Sequence, residues 1–242
     1  MRPARRLGDG SGFARAIVEI IEAREGVGLH QARPGRQVLT GMGAVPGVRG
    51  FEGERVRRGA GYQSEIFVGT ADHRLEPLTR DYRELSDFSH RDNLLLHHFS
   101  LGSKASRTAY ALPDRMALIY HNITPPEYFV GVHRRLARQT FRGRRELQAY
   151  ADRCDLALGD SEFNRQDLEA LGFPRTAVLP VVPDFSHLDR EPNWLVARDF
   201  DDDWTNVVFV GRVIANKKID VTICWFHAYY TTFNPPSPLL LV

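Results

Sequence analysis

Polar side chains follow several short apolar runs in this sequence of 242 residues, at the points where those runs end. His98 and Ser100 lie at the end of one run, His121 and Asn122 follow the next, and Ser161 follows a third. Histidine exchanges a proton near neutral pH, and hydroxyl and amide groups hold ligands by hydrogen bonds. In parallel sheets the carboxyl ends of the strands meet at one edge, where ligands bind. We therefore expect these side chains to converge; the alternative for His121 is a histidine that only caps a strand.

Two further groups have the chemistry to hold phosphate. Gly41 and Gly43 follow the first apolar run, where small residues would let a phosphate approach the backbone. Arg212 ends a later run, and Lys217 lies where the next helical pattern begins. Basic side chains beside the free N–H groups of a helix start can bind a diphosphate. An ordinary surface turn is the alternative for Arg212 and Lys217.

The elements that would position these residues are visible as alternating patterns. Helical patterns cover 136–153, a segment that begins after Ser161 and ends at Gly172, and 219–230. Seven runs are too short for helices, are rich in valine, leucine or isoleucine, and predict strands at 37–41, 65–69, 93–98, 116–121, 155–158, 177–182 and 206–211. Strands that alternate with helices predict an α/β fold, a Rossmann-like doubly wound parallel sheet.

Composition divides the chain into four segments. Residues 1–36 are rich in arginine and glycine, and we expect them to be poorly ordered. Residues 37–182 carry the regular pattern of an N-terminal Rossmann-like domain. The acidic stretch 183–205 is typical of a linker. Residues 206–242 hold a strand, a helix and part of another strand, so we expect the start of an incomplete second domain.

Charge and cysteine content exclude several classes of protein. The formal charge of +2, from 32 basic and 30 acidic residues, argues against a dedicated nucleic-acid binder. Two cysteines, Cys154 and Cys224, cannot form a disulfide framework or a zinc site, and we expect no metal. No apolar run is long enough to predict a transmembrane helix, and the N-terminus lacks the apolar run of a signal peptide. A cytoplasmic location is the default.

A basic cluster leaves peripheral membrane contact open. The simplest interpretation of this cluster is a solvated helix face. The alternative is a surface that binds an anionic partner, such as acidic lipid at the inner membrane face or polyphosphate. The cluster consists of six arginines: Arg134, Arg135, Arg138, Arg142, Arg144 and Arg145.

Four stretches carry a resemblance to a known family: 92–103 (DNLLLHHFSLGS), 120–129 (YHNITPPEYF), 155–165 (DLALGDSEFNR) and 208–218 (VFVGRVIANKK). With them, the chain from about residue 37 to 242 resembles the family 4 glycosyltransferases, which are of the GT-B type with two Rossmann-like domains. The resemblance implies a hexosyltransferase-like reaction that moves a sugar from a nucleotide diphosphate sugar to a carbohydrate or lipid-linked acceptor with retention. It implies no obligatory metal and no other cofactor.

The resemblance also implies roles for single residues. Arg212 and Lys217 match the basic pair that neutralises the leaving diphosphate. His121 matches the strand-end histidine that faces the reacting sugar, and we take it as the catalytic candidate. The loop from Gly41 to Gly43 matches the loop near the diphosphate and the acceptor. The remaining polar residues are expected on the acceptor side: His98, Ser100, Asn122 and Ser161.

The chain departs from the family pattern in two places. Residues 45–54 are poor helix formers where the family has a helix, and the family's pair of donor-binding glutamates is not reached. We therefore expect a truncated glycosyltransferase that transfers sugar poorly by itself. The alternative is a non-catalytic fragment that binds acceptor without turnover. A nicotinamide-dependent oxidoreductase is disfavoured because no Gly-x-Gly-x-x-Gly motif leads from the first strand into a helix.

Overall fold

Short runs rich in branched and aromatic residues form a parallel sheet of seven strands in the computed structural model, which describes residues 37–42, 63–71, 73, 75–180 and 191–242. The strands are β1 (Gln37–Met42), β2 (Gln63–Val68), β3 (Arg80–Asp81), β4 (Leu94–Phe99), β5 (Arg115–Tyr120), β6 (Leu156–Gly159) and β7 (Thr176–Val178). Their order is β3-β2-β1-β4-β5-β6-β7, and all neighbouring strands are parallel. The predicted Rossmann-like α/β fold is confirmed.

Between these strands, the described residues form the helices α1 (Leu85–Phe88), α2 (Lys104–Ala111), α3 (Arg134–Ala149) and α4 (Glu162–Ala170). Short 3-10 helices lie at Glu76–Leu78, Tyr82–Glu84, Pro126–Phe129 and Tyr150–Asp152. Ser161 is the N-cap of α4, and Gly172 follows the helix with a positive φ of 92°, as the sequence predicted. Helix α2 was not predicted from the sequence, because its buried residues are the small Ala105, Ser106 and Ala109.

The C-terminal described residues form a second, smaller arrangement. It contains α5 (Trp194–Ala197), β8 (Val207–Phe209), α6 (Ile219–Thr232) and β9 (Leu239–Leu241), with 3-10 helices at Arg198–Phe200 and Ala215–Lys217. Strands β8 and β9 are parallel, so this is a strand–helix–strand unit. The predicted strand 206–211 is shorter in the structure, and α5 lies within the predicted linker.

The chain divides into two compact units. The first comprises residues 1–123 and 138–183, and the second comprises 124–137 and 184–242. The segment 1–36, Gly43, the last two residues of the predicted strand 177–182 and residues 183–190 of the predicted linker lie outside the described residues. No helix in the described part of the chain is long and apolar enough to cross a membrane.

The adjacent strands β4, β5 and β6 are buried almost along their whole length. Successive side chains of a strand point to opposite faces, so each strand contributes to two apolar clusters. One cluster joins sheet residues to helices and includes Leu95, Met116, Leu118, Leu147 and Leu168. The other lies on the opposite face and includes Leu96, Ile119, Leu158 and Leu179. Burial on both faces explains why these strands read as continuous apolar runs.

A polar network ties the end of β5 to α3 and α4. The Tyr120 hydroxyl donates to Asp167 Oδ2 at 2.8 Å and accepts from the Ile123 N–H at 3.1 Å. Arg144 donates to Asp167 Oδ1 at 2.8 Å and to the Ile123 carbonyl at 3.2 Å. Burial raises the pKa of the Tyr120 phenol well above its ordinary value, so it stays a donor. The network fixes the start of the segment that follows β5.

Removing Asp167 should therefore cost stability. In Asp167→Ala, both Tyr120 and Arg144 lose an acceptor, and we expect the free energy of unfolding to fall by about 2–3 kcal/mol. The matched control is Arg83→Ala, because the Arg83 side chain is 77% exposed and its nitrogen lies 3.5 Å from Asp81. Such an exposed pair contributes about 0.5 kcal/mol or less. Urea unfolding of both variants measures the difference, and equal stability of the two would contradict the role given to Asp167.

Candidate active site

The two adjacent histidines of β4 face opposite sides of the sheet. His97 is fully buried and its ring stacks on Tyr150, with ring centroids 5.4 Å apart and an angle of 20° between the planes. It belongs to the packed side of the sheet. His98 lies on the other face, where it meets residues that follow the neighbouring strands. Of this histidine pair, His98 is the one that faces the candidate site.

The register of the strands explains which residues meet. Phe99 pairs with Tyr120, and Tyr120 pairs with Gly159. His121 and Asp160, one position further on, are therefore level with each other. Because side chains alternate between faces, both lie on the same face as His98. The His121 N–H donates to the Phe99 carbonyl at 2.9 Å and continues the sheet pairing beyond β5.

His98 and His121 form a close pair of imidazoles. His98 Nδ1 lies 3.0 Å from His121 Nε2, and the two rings are stacked with 5.3 Å between centroids and 14° between planes. That distance is a hydrogen bond between the two nitrogens, so one ring donates a hydrogen and the other accepts it. The pair therefore couples the protonation of one histidine to that of the other.

Asp160 completes a line of three side chains, although the sequence analysis assigned it no role. Its Oδ2 lies 3.8 Å from His121 Nδ1, and its Oδ1 accepts a hydrogen bond from Asn164 Nδ2. A carboxylate near one ring nitrogen favours a hydrogen on that nitrogen. The signal was present in the sequence, since an acidic residue directly after a buried strand shares the edge with His121.

The turn between β6 and α4 holds Asp160 in place. A Cβ on Gly159 would lie 2.4 Å from the Arg165 backbone nitrogen, so only glycine allows this close approach. The Ser161 hydroxyl accepts from the Asn164 N–H at 3.2 Å and caps the helix. Asn164 is almost fully buried, and its Oδ1 has no hydrogen-bond partner among the described residues.

The first residue of α4 adds a permanent negative charge. Hydrogen bonds from Arg165 lower the pKa of Glu162 to about 2, so this carboxylate is ionised at neutral pH. An acidic side chain in the first turn also interacts favourably with the helix dipole. The Arg165 guanidinium also contacts Glu169, one helical turn further along α4. This surface network stiffens the helix that follows Ser161.

The other predicted residues of the first unit are placed differently. Ser100 and Asn122 are exposed directly after β4 and β5, and neither forms a side-chain hydrogen bond with the described residues. Gly41 was predicted to follow the first strand. In the structure it lies inside β1, where it pairs with Phe67 and His97. The strand extends through Met42 because its backbone pairs with neighbours on both sides. Gly43 lies outside the described residues.

Arg212 and Lys217 belong to the second unit and lie in the turn between β8 and α6. The Ile214 N–H donates to the Arg212 carbonyl at 3.0 Å, and the Lys217 N–H donates to the Ile214 carbonyl at 2.9 Å. Both basic side chains are exposed, and neither forms an ion pair with a described residue. Lys218, which precedes α6, has a left-handed φ of 52°. Such a conformation is costly for a residue other than glycine and is frequent at ligand-binding turns.

Metal-ligating side chains do not gather in the described part of the chain. No group of three or more histidine, cysteine, aspartate or glutamate side chains there could hold a metal ion. Both cysteines are free thiols. Burial raises the pKa of the Cys154 thiol to about 12, so it is protonated and unreactive at neutral pH.

The position of the hydrogens in the histidine pair is testable. We expect His121 to carry its hydrogen on Nδ1, facing Asp160, and to accept from His98 Nδ1–H through Nε2. Asp160→Ala should reduce this preference, because the carboxylate that favours it is gone. Proton–nitrogen NMR correlation spectra of the imidazole rings report the tautomer directly.

Asp92→Ala is the control for that experiment. Asp92 lies 3.5 Å from His90, and both side chains are exposed, so its removal should leave the His121 signals unchanged. A native His121 with its hydrogen on Nε2, or identical His121 spectra in native protein and Asp160→Ala, would show that Asp160 does not select the tautomer.

Of the comparisons with known proteins, the one with solved structures gives a match. No family model matches the chain, and no curated protein matches it. Among solved structures, it is similar to trehalose-6-phosphate synthase, studied with bisubstrate glycomimetics for its glycosyl transfer with retention. The TM-score is 0.49 and the identity 11%, with 84% of this chain and 63% of that chain covered. This chain thus spans less than two thirds of that structure's length.

Proposed function

We propose that this chain takes part in transferring a sugar from a nucleotide diphosphate sugar to an acceptor with retention, as its resemblance to family 4 glycosyltransferases implies. The observation that carries the proposal is the line of His98, His121 and Asp160 at the carboxyl ends of three adjacent parallel strands. That edge is where open α/β sheets bind their ligands. The acceptor would be a carbohydrate or a lipid-linked sugar.

In the proposed reaction the bond between the anomeric carbon and the diphosphate oxygen breaks. A bond from the anomeric carbon to the acceptor oxygen forms on the same face, and the proton of the acceptor hydroxyl passes to an oxygen of the departing diphosphate. Negative charge develops on the diphosphate as it leaves. Arg212 and Lys217 would stabilise that charge, and stabilisation of developing charge lowers the barrier directly.

His121 would face the reacting sugar, and Asp160 would hold its ring in one orientation. A positioned hydrogen-bonding group that meets charge only in the transition state contributes to rate rather than to substrate binding. His98 would act from the acceptor side, together with Ser100, Asn122 and Ser161. The Ser161 hydroxyl accepts from the Asn164 N–H, and it can still donate to a sugar oxygen.

Turnover is tested by release of the nucleotide diphosphate from a panel of nucleotide sugars with sugar acceptors. We expect His121→Ala to lower the rate about 10²-fold, as expected for loss of one group that stabilises the transition state. The control is His90→Ala, because His90 is exposed and lies outside the candidate site. Acceptor binding without any release of diphosphate would support a non-catalytic acceptor-binding fragment instead.

Donor binding is tested separately on the turn before α6. Arg212→Ala and Lys217→Ala should each weaken the binding of a nucleoside diphosphate by about 1–3 kcal/mol, the usual value of a charge-assisted hydrogen bond. Isothermal titration with uridine, guanosine and adenosine diphosphates measures the change.

The matched control is Arg198→Ala, in the same unit. The Arg198 side chain is 72% exposed and precedes β8 in the sequence, away from the turn. Its removal changes the net charge equally and should leave the affinity almost unchanged. If the Arg212→Ala, Lys217→Ala double variant bound nucleoside diphosphates as tightly as the native chain, the turn would not be the donor site.

A further inference from the structure

Helix α3 carries a stripe of arginines along its exposed side. Arg134, Arg138, Arg142 and Arg145 are spaced by four, four and three residues, which places them on one face of an α-helix. All four are exposed. We call this set the basic stripe. Arg135, also exposed, lies next to it around the helix.

The opposite side of α3 fixes the direction in which the basic stripe faces. Thr140, Gly143 and Leu147 are buried on that side. Arg144 is directed toward Asp167 and the Ile123 carbonyl, so it leaves the cluster of six arginines that the sequence suggested. With its buried face packed, the helix presents the basic stripe outward.

The charge of the basic stripe is not neutralised within the described part of the chain. The one acidic residue of α3 is Glu146, and its Oε1 accepts from Arg107 at 2.8 Å. None of the four arginines of the stripe has a carboxylate oxygen within 4.0 Å among the described residues. A surface whose positive charge is not neutralised attracts an anionic partner.

An exposed apolar side chain accompanies the basic stripe. Phe141 lies within the stripe, three residues after Arg138 and four before Arg145, and is 54% exposed. A free polyanion offers nothing to apolar side chains, whereas the headgroup and acyl boundary of a bilayer accommodates both kinds of group.

We infer that the basic stripe and Phe141 bind the surface of an anionic phospholipid bilayer. The guanidinium groups pair with lipid phosphates, for which their planar donor geometry is suited. Phe141 enters the boundary between headgroups and acyl chains. This surface is independent of the proposed sugar transfer, since none of its residues belongs to the candidate site.

Vesicle flotation of the full chain tests the inference. We expect binding to vesicles of phosphatidylcholine mixed with phosphatidylglycerol, little binding to phosphatidylcholine alone, and weaker binding as salt rises. Each basic residue near an anionic surface contributes about fivefold to the affinity, so Arg138→Ala, Arg142→Ala should bind roughly 25-fold more weakly. Phe141→Ala should also weaken binding, by a loss that persists at high salt because it is not electrostatic.

Matched controls distinguish binding by this surface from a general effect of removing exposed arginines or an exposed phenylalanine. Arg91→Ala, Arg175→Ala removes two exposed arginines elsewhere and should bind nearly as the native chain does. Phe163→Ala removes a phenylalanine that is 69% exposed on α4, with the same expectation. If Arg138→Ala, Arg142→Ala proved unstable, Arg134→Ala, Arg145→Ala tests the same stripe.

Three outcomes would overturn the inference. The first is equal binding to neutral and anionic vesicles. The second is equal loss in the stripe variant and in the Arg91→Ala, Arg175→Ala control. The third is binding to inorganic polyphosphate, unchanged in Phe141→Ala, with no binding to anionic vesicles; that result would assign the stripe to a polyanion.

Discussion

Parallel pairing of β4, β5 and β6 is the constraint on which the candidate site depends. In a parallel sheet all carboxyl ends lie at one edge, and the register decides which residues beyond the strands are level. Here Tyr120 pairs with Gly159, so His121 and Asp160 follow at the same height. A shift of one residue in either strand would move one of these side chains to the opposite face. Burial of both faces of the sheet fixes the register, and the register fixes the line of three side chains.

Alternation along β5 links the site to the rest of the domain. Tyr120 and His121 are neighbours in sequence but point to opposite faces, so one anchors the strand end while the other faces the site. The anchor reaches Asp167 and Arg144, and through them α3 and α4. Helix α3 therefore has two roles: its inner side holds the strand end, and its outer side carries the basic stripe. Position around one helix separates a structural arginine from the exposed ones.

The sequence predicted the fold well because the signal lies in buried runs, and short apolar runs without polar alternation are typical of parallel strands. It predicted less well where small residues carry the packing: the alanines of α2 gave no helical pattern, and Gly41 was taken for a loop. His98 could be proposed from the sequence, but its contact with His121 depends on register, which one chain does not reveal. Arg144 could have been separated from the cluster, since its spacing does not match the stripe.

The two groups of proposed site residues depend on different physical supports. His98 lies in β4, and His121 and Asp160 directly follow β5 and β6. These strands are buried on both faces, and such packing holds side chains rigidly, as preorganised chemistry requires. Arg212 and Lys217 stand on a turn held mainly by local backbone hydrogen bonds through Ile214. Among the described residues of their unit, Phe129 and Ser237 alone are buried. A ligand that bridges two basic side chains would order such a turn, and the free energy of ordering would be subtracted from its affinity. In the proposed chemistry, binding at Arg212 and Lys217 would therefore include ordering of the turn, whereas the arrangement of His98, His121 and Asp160 would require no such step.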